Sequence, residues 1–154
     1  MSISIRRAGI NDTEAVMKLL SEVLELHAAL RPDIFISGST KYTAEELGTI
    51  FEDDGRPVFE NGDILGYVFC VMQRQPFSTN MKDFTTLYID DLCVDENSRG
   101  QHVGRKLYEY VLNYARKQGC YDVTLNVWEG NDNARAFYEK MGMFVKETQM
   151  ETIL

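Results

Sequence analysis

Residues 84–107 read FTTLYIDDLCVDENSRGQHVGRKL, and this stretch decides the fold. Residues 84–94 carry β-branched and aromatic side chains and predict a strand. The helical spacing of residues from Gly104 to Ala115 predicts a long helix with Arg116 and Lys117 in its last turn and Gly119 as its stop. When a strand passes into a helix through glycine-containing backbone, unsatisfied N–H groups at the helix N-terminus favour an anion. The stretch therefore predicts a ligand site at residues 99–104.

Patterns on both sides of this stretch predict the rest of the fold. Apolar and polar side chains alternate over residues 2–7, which predicts a strand, and residues 31–42 predict a loop. Asn61-Gly62 predicts a tight type I′ turn between strands at 57–60 and 64–72. A first helix is expected from a cap at Asn11 or Asp12 to Arg31-Pro32, and a short second helix begins after the capping box of Thr43 and Glu46. A last helix is expected over residues 131–141. Two further strands are expected over residues 123–127 and 144–150. This order predicts one α+β domain, residues 1–154. Its mixed, mostly antiparallel twisted sheet has about six to seven strands, with four helices on both faces.

Composition limits the classes of function. The 154 residues carry a net charge of −8, which argues against nucleic acid as a partner and suits cationic small molecules. The longest apolar run, residues 67–72, is too short to span a membrane, and residues 1–7 lack the apolar core of a signal peptide. Three cysteines without metal-ligand spacing are expected to be reduced and buried. We expect a cytoplasmic protein with no metal site, nucleic-acid partner or membrane association.

The glycine loop carries positive charge in an otherwise acidic chain. Arg99, Arg105 and Lys106 accompany Gly100 and Gly104, and glycine lets the backbone approach a phosphate closely. One interpretation is a pyrophosphate site, and the other is an ordinary loop with a solvated basic first turn. The loop lacks the Gly-Lys-Ser/Thr ending of nucleotide triphosphatases and the position of a Rossmann loop, which disfavours both classes.

Three motifs follow one another along the second half of the chain. They are the strand Leu87-Tyr88-Ile89-Asp90-Asp91-Leu92-Cys93-Val94, the loop Arg99-Gly100-x-x-Val103-Gly104 and the helix Asn131-x-x-Ala134-x-x-Phe137-Tyr138-x-x-Met141-Gly142. In this order they resemble the GNAT N-acetyltransferase superfamily, and within it the small-amine and polyamine acetyltransferases. Residues 1–83 match by the order of elements only. The resemblance implies the GNAT fold and acetyl-CoA as co-substrate.

The resemblance also assigns the residues that bind acetyl-CoA. In the family the loop wraps the pyrophosphate through backbone N–H groups, and the pantetheine arm lies beside the strand like an added strand. A backbone N–H near Val94 is expected to hold the thioester oxygen. The residues so assigned are Leu92, Cys93, Val94, Arg99, Gly100, Gln101, His102, Val103, Gly104, Arg105 and Asn131. His102 departs from the family, which usually has glycine there; the imidazole either adds a phosphate contact or weakens CoA binding.

Catalytic roles follow from the same resemblance. Tyr138 lies seven residues after Asn131, so both fall on one helix face. The resemblance implies that the Tyr138 hydroxyl protonates the departing thiolate; a core aromatic is the alternative. Asp90 and Asp91 point to opposite faces of a strand unless a bulge intervenes. The resemblance makes Asp90 the first candidate for the base that takes the amine proton and Asp91 the second, with ordinary surface or loop-paired carboxylates as the alternative.

The remaining candidates concern the acceptor and the alternatives to acetyl transfer. His27 extends the apolar stripe of the first helix and either packs there or lines the acceptor site. We expect an N-acetyltransferase that acts on a small-molecule or peptide primary amine by direct attack in a ternary complex. The alternatives are a non-catalytic acyl-CoA-binding module and, less favoured, a thiol-dependent enzyme that uses Cys93. A homodimer is one candidate assembly, since residues 141–154 supply an edge strand.

Overall fold

The computed structural model describes residues 4–62 and 65–154, which form a five-stranded sheet with helices on both faces. Strands β1 to β5 follow one another across the sheet in sequence order; β4 and β5 are parallel, and the other neighbours are antiparallel. In chain order the elements are β1 (Ile5–Arg7), α1 (Thr13–Leu30), α2 (Ala44–Phe51), β2 (Val58–Asn61), β3 (Gly66–Gln75), β4 (Phe84–Val94), α3 (Val103–Lys117), β5 (Asp122–Leu125) and α4 (Asp132–Lys140), with short 3-10 helices at Ile10–Asp12 and Glu96–Ser98. The mixed α+β class and the four α-helices are as predicted.

The predicted number of strands is wrong for the described residues, which form five and not six to seven. The expected closing strand over residues 144–150 is absent from this sheet. Residues 143–154 run without a turn or a bend and are exposed from Phe144 onward. A strand needs a hydrogen-bonding neighbour, and an alternating sequence does not supply one by itself.

The connection between β2 and β3 also differs from the prediction. Asn61 ends β2 and Gly66 begins β3, so residues 62–65 connect the strands where a two-residue turn was expected. The Asn61 Oδ1 atom accepts hydrogen bonds from the amides of Leu65 (2.7 Å) and Gly66 (3.0 Å). The side chain therefore joins the end of β2 to the start of β3, and neither Asn61 nor Gly62 has the positive φ of a type I′ turn. Ile64, where the second strand was expected to begin, lies outside the described residues.

The sheet separates two layers of the core. Helices α1 and α2 pack against one face, where Tyr67 and Phe69 of β3 are buried. Helix α3 packs against the other face with Val68 and Cys70, and Tyr138 of α4 contacts this second cluster. The alternation along β3 thus buries both faces of the strand. No helix in the described ranges has the length and apolarity needed to cross a bilayer.

Both predicted N-terminal caps lie at helix starts, but only one acts as a side-chain cap. The Thr43 hydroxyl accepts from the Glu46 amide, and the Glu46 carboxylate accepts from the Thr43 amide, both at 3.1 Å. This is the capping box predicted for α2. Asp12 occupies the cap position of α1, yet its carboxylate accepts hydrogen bonds from the Arg6 guanidinium (2.8 and 2.9 Å) and the Gly9 amide (2.8 Å).

Arg6 also pairs with Glu60 at 2.7 Å, and the Glu60 side chain is fully buried. We expect Arg6→Met to lower the free energy of unfolding by about 2–3 kcal/mol, because it leaves the buried carboxylates of Asp12 and Glu60 without this cation. The loss is limited because the Arg6 guanidinium is half exposed and solvent screens its charge. Urea denaturation measures the change. The matched control is Arg74→Met, since Arg74 pairs with Asp83 on the surface, where both side chains are largely exposed. Equal losses in the two variants would contradict the role given to Arg6.

Candidate active site

A β-bulge in β4 brings two adjacent carboxylates to one face of the sheet. The register with β3 shifts opposite Asp90, which becomes the extra residue of β4. Before the bulge, Ile89 belongs to the cluster on the α3 side; after it, Cys93 belongs to the cluster on the α1 side. The extra residue shifts the alternation of side chains between the two faces of the sheet by one position, so that Asp90 and Asp91 both face the α1–α2 layer.

Asp90 is held by the loop that joins α1 to α2. The Lys41 ammonium donates to one carboxylate oxygen at 2.9 Å, and the Tyr42 hydroxyl donates to the other at 2.7 Å. The Tyr42 ring stacks on Phe69 with a centroid distance of 5.5 Å. The sheet thereby positions the loop, and a primary ammonium group lies directly on a carboxylate of the site.

Asp91 lies beside Asp90 in a more buried environment. It accepts a hydrogen bond from the Tyr67 hydroxyl at 2.6 Å. Burial raises the pKa of Asp91 to about 6, although the Tyr67 hydrogen bond and the charge of Lys41 partly oppose the effect. A carboxylate with this pKa is ionised at neutral pH and is more basic than an ordinary aspartate, as a proton acceptor needs to be.

A groove opens where β4 and β5 separate. Their parallel pairing ends at Ile89 and Leu125, whereas β4 continues along β3 to Val94. Residues 90–94 therefore have no strand beside them on the β5 side within the described chain. An extended ligand can lie along this edge as an added strand does.

The amide of Val94 points into this groove. The Asp95 amide donates to the Leu65 carbonyl at 2.6 Å on the opposite, β3 side. Because consecutive amides of a strand point in opposite directions, the N–H of Val94 faces the gap between β4 and β5. This orientation is the one required of a donor to a thioester oxygen.

The loop before α3 turns through two left-handed residues. Gly100 has φ +90° and His102 has φ +62°; among the described residues, His102 is the single non-glycine residue with positive φ. Left-handed backbone suits glycine and strains other residues. The departure from the family pattern noted at His102 thus occurs at a position where glycine is favoured.

We expect His102→Gly to raise the free energy of unfolding by about 1 kcal/mol, because the left-handed backbone then costs less. Acetyl-CoA affinity should be unchanged or higher if the loop binds phosphate through its backbone. Denaturation and calorimetric titration with acetyl-CoA measure the two effects. Gln101→Gly is the matched control and should destabilise, since Gln101 does not have positive φ. A several-fold loss of acetyl-CoA affinity in His102→Gly would show that the imidazole itself contacts the ligand.

Helix α3 begins directly behind this loop. Its first intrahelical hydrogen bond runs from the Lys106 amide to the His102 carbonyl, so the amides of residues 103–105 are free of helical partners. A Cβ atom on Gly104 would lie 3.3 Å from the Val94 side chain and 3.5 Å from Phe137. Gly104 therefore lets the start of α3 pack closely against the end of β4 and against α4.

Tyr138 lies on α4 and packs against the cluster on the α3 side of the sheet. Its ring contacts Phe137 and Tyr108 at centroid distances of 5.1 and 6.2 Å. Burial, together with the charge of Asp91, raises the pKa of Tyr138 above the usual value of tyrosine. The raised pKa keeps the hydroxyl protonated at neutral pH. It forms no hydrogen bond with any residue in the described ranges, so it is available to a ligand.

A model of the acetyltransferase (GNAT) family matches residues 20–143, which is more than half of the chain. The chain belongs to the GNAT family. The family resemblance seen in the sequence and the class of enzyme that it implies, an N-acetyltransferase, are confirmed.

Three similar proteins illustrate the position of the chain within the GNAT family. Thialysine N-epsilon-acetyltransferase of Bos taurus is 26% identical over 150 residues, which cover 91% of this chain and 83% of that protein. Glucosamine 6-phosphate N-acetyltransferase of Arabidopsis thaliana is 38% identical over 63 residues, so the match spans 41% of this chain and 40% of that protein. The solved structure of a mutant BH1408 protein from Bacillus halodurans is 30% identical, with a TM-score of 0.92 over 98% of this chain and 99% of that one.

The GNAT fold brings most of the predicted residues to one groove. Residues 90–94 of β4 line it, the start of α3 packs against Val94 at Gly104, and Tyr138 of α4 lies near enough to β4 for the charge of Asp91 to act on it. Asn131 has a structural contact as well: its Oδ1 atom accepts from the Ala134 amide at 3.4 Å and caps α4. Arg105 pairs with Glu109 at 3.0 Å, which neutralises part of the positive charge near the loop.

Cys93 does not suit the role of an acyl-carrying nucleophile in this GNAT domain. The thiol is buried and lies 3.8 Å from the Leu19 carbonyl. Burial, together with the charge of Asp91, raises its pKa to about 12. A thiol in this environment stays protonated and is a poor nucleophile.

His27 lies in the last turn of α1, beside groups that the sequence does not single out. Its ring contacts Phe35 (5.3 Å), which meets Trp128 edge to face (5.5 Å). Burial and the charge of Lys41 lower the pKa of His27, so the imidazole is neutral at pH 7. Lys41, Phe35 and Trp128 make contacts between distant parts of the chain, and no local sequence pattern predicts these contacts. In the loop between α1 and α2, the sequence signal is the capping box at Thr43, which fixes where the loop ends.

Proposed function

We propose that this GNAT domain transfers the acetyl group of acetyl-CoA to a primary amine by direct attack in a ternary complex. The observation that carries the proposal is the bulge in β4, which places Asp90 and Asp91 on one face beside the groove. Asp90 already binds a primary ammonium group, that of Lys41.

Acetyl-CoA fits the groove through groups that this chain presents. The loop amides, the free amides of residues 103–105 and the nearby Arg99 suit the pyrophosphate. The pantetheine arm would lie along residues 90–94 of β4 and bring the thioester oxygen to the Val94 amide. The same amide is placed to stabilise negative charge that develops on that oxygen during attack.

The two carboxylates have different surroundings, which suggests different roles. Both oxygens of Asp90 accept hydrogen bonds, from Lys41 and Tyr42, so Asp90 suits the binding of an ammonium group. Asp91 has a raised pKa and suits the role of proton acceptor. We therefore place Asp91 before Asp90 as the base, in the reverse of the order suggested by the family resemblance.

The proton balance uses both Asp91 and Tyr138. One proton of the ammonium group passes to Asp91, and the amine nitrogen attacks the carbonyl carbon of the thioester. When the C–S bond breaks, the thiolate takes the proton of the Tyr138 hydroxyl. The second proton of the amine, released as the amide forms, restores Tyr138, and Asp91 releases the first proton to solvent before the next cycle. The products are the N-acetyl amide and CoA.

The acceptor is proposed to be a small cationic amine. The net charge of −8 and the paired carboxylates favour a cation. Thialysine, named in the Bos taurus relative, and glucosamine 6-phosphate, named in the Arabidopsis relative, both carry a primary amine. An acceptor that binds Asp90 must displace Lys41, which selects amines that carry positive charge.

Mass spectrometry of reaction mixtures tests the function. Acetyl-CoA is incubated with polyamines, amino acids, aminoglycosides and short peptides, and acetyl-CoA binding is measured separately by calorimetry. We expect an acetylated product from one class of cationic amine. Binding of acetyl-CoA with no product from any class would instead support the acyl-CoA-binding module, for which the strained His102 loop is the motivation. An acetyl group on the protein in the absence of acceptor, located at Cys93, would support the thiol-dependent route.

A further inference from the structure

The ammonium group of Lys41 lies where the amine of an acceptor is proposed to bind. Its Nζ atom is 2.9 Å from one carboxylate oxygen of Asp90, and its charge also acts on Asp91. The Asp90 side chain is 17% exposed and that of Lys41 is 43% exposed, so the lysine enters a largely buried site from the solvent side. A primary amine of the chain itself is therefore already placed beside the two carboxylates.

The loop between α1 and α2 holds the backbone of Lys41 at this site. The next residue, Tyr42, donates to the other oxygen of Asp90 at 2.7 Å and stacks on Phe69. Farther back, a hydroxyl and an amide of the loop donate to the Glu25 carboxylate of α1 at 2.7 and 2.6 Å. The loop is thus tied to the sheet and to α1, while the flexible four-carbon stem of lysine lets its nitrogen move from Asp90 toward the groove.

Lys41 differs in this respect from the other lysines. The chain has six more, which are Lys18, Lys82, Lys106, Lys117, Lys140 and Lys146. In the ranges that the structure describes, none of these six forms an ion pair with Asp90 or Asp91; Lys146, for example, pairs with Asp122. A reaction at the site would therefore select Lys41, whereas chemical acetylation modifies exposed lysines in general.

We propose that Lys41 is itself a substrate of this acetyltransferase site, and that its Nζ atom receives the acetyl group of acetyl-CoA when no free amine occupies Asp90. The inference rests on the proposed function, because it uses the same carboxylates and the same groove. An amine held within the chain has a high effective concentration at the site, so the transfer needs no second protein molecule.

The transfer to Lys41 follows the proton balance of a free acceptor. Asp91 takes one proton from the Lys41 ammonium group and releases it to solvent. The neutral Nζ atom forms a bond to the carbonyl carbon of the thioester, and the C–S bond breaks. The leaving thiolate takes the proton of the Tyr138 hydroxyl, and the second proton lost by Nζ restores Tyr138. The products are CoA and an N-acetylated Lys41, which is neutral.

Acetylation of Lys41 changes the acceptor site because it removes a charge. The amide that replaces the ammonium group cannot form the ion pair with Asp90. Asp90 is then open to a free cationic amine, whose KM should fall several-fold. Lys41→Gln, a neutral mimic of the acetylated residue, should likewise give a lower KM for the amine than Lys41→Arg, which keeps the charge.

Peptide mapping by mass spectrometry tests the proposal on the 154-residue chain, as purified and after incubation with acetyl-CoA in the absence of an amine. We expect a gain of about 42 Da at Lys41, ahead of the other lysines and at a rate per chain that does not depend on protein concentration. Excess CoA, which competes for the groove, should suppress this gain. Lys41→Arg should abolish it, and the matched control Lys82→Arg, at an exposed loop lysine, should retain it.

The outcomes distinguish failure of this proposal from failure of the proposed function. Acetylation of a free amine while Lys41 stays unmodified would overturn self-acetylation and leave the proposed function in place. An unmodified Lys41 together with no product from any amine would overturn both. Labelling of all exposed lysines at similar rates, unaffected by CoA, would be chemical and would also overturn the proposal, as would a rate per chain that rises with protein concentration. Equal KM values in Lys41→Gln and Lys41→Arg would contradict the release of Asp90.

Discussion

Tyr138→Phe is expected to lower kcat by at least about 100-fold while acetyl-CoA affinity stays within about twofold of the native value. The substitution keeps the ring, which packs on Phe137 and Tyr108, and removes only the hydroxyl. A 100-fold loss corresponds to about 2.7 kcal/mol of transition-state stabilisation, an ordinary contribution for a general acid. Steady-state kinetics with the amine found in the product screen and calorimetric titration with acetyl-CoA give the two quantities.

Tyr108→Phe is the matched control for this prediction. Tyr108 lies next to Tyr138 in the same buried cluster, so its substitution reports the general effect of removing a phenol from this part of the core. We expect kcat of Tyr108→Phe to remain close to the native value. An unchanged kcat in Tyr138→Phe would remove this hydroxyl from the reaction and favour solvent as the proton donor.

Asp91→Asn is the second prediction with a large effect on activity. We expect kcat/KM to fall by about 100-fold, and the rise of kcat/KM with pH through about 6 to disappear, because the group with this pKa is the proposed proton acceptor. Asp90→Asn should retain the rise near pH 6 and mainly increase KM for the amine. If the rise persists in Asp91→Asn and is lost in Asp90→Asn, Asp90 is the base.

The stability of Asp91→Asn provides a readout that is independent of catalysis. The pKa of Asp91 is about 6 in the folded chain, against an ordinary value of 3.8. As pH rises, the carboxyl group therefore loses its proton at a lower pH in the unfolded chain than in the folded chain. Because the folded state holds the proton more tightly, the free energy of unfolding falls as pH rises from about 4 to above 6. At 1.36 kcal/mol per pKa unit the loss is up to about 3 kcal/mol, which the asparagine avoids. Asp91→Asn should thus be more stable than the native chain at pH 7, and the difference should shrink at pH 4.

Local sequence patterns were sufficient to predict most of the helices and strands. The predicted bounds of β4 are those observed, and α3 and α4 lie within about one residue of their predictions, because helical spacing and glycine stops act within a few residues. The capping box of Thr43 and Glu46 is local for the same reason. The Asn61-Gly62 turn was predicted incorrectly, since the dipeptide permits a tight turn but the Asn61 side chain can also hold a wider one.

The candidate site depends on contacts between distant residues. The sequence placed Asp90 and Asp91 side by side, but a register shift against β3 turns both to one face. Lys41 and Tyr42 bind Asp90 across almost fifty residues of chain, and no local pattern identifies their side chains as its partners. The left-handed conformation of His102 is likewise a feature that only the structure shows.

Motifs and local patterns identified the GNAT family, the order of the strands and helices up to α4 and the loop that begins α3, because periodicity, caps and motifs are properties of neighbouring residues. Only the tertiary structure decided which way the two carboxylates face, which ammonium group Asp90 binds and whether residues 144–150 enter a sheet. Each of these depends on strand register and on the availability of a pairing partner, and both are set by atoms far away along the chain.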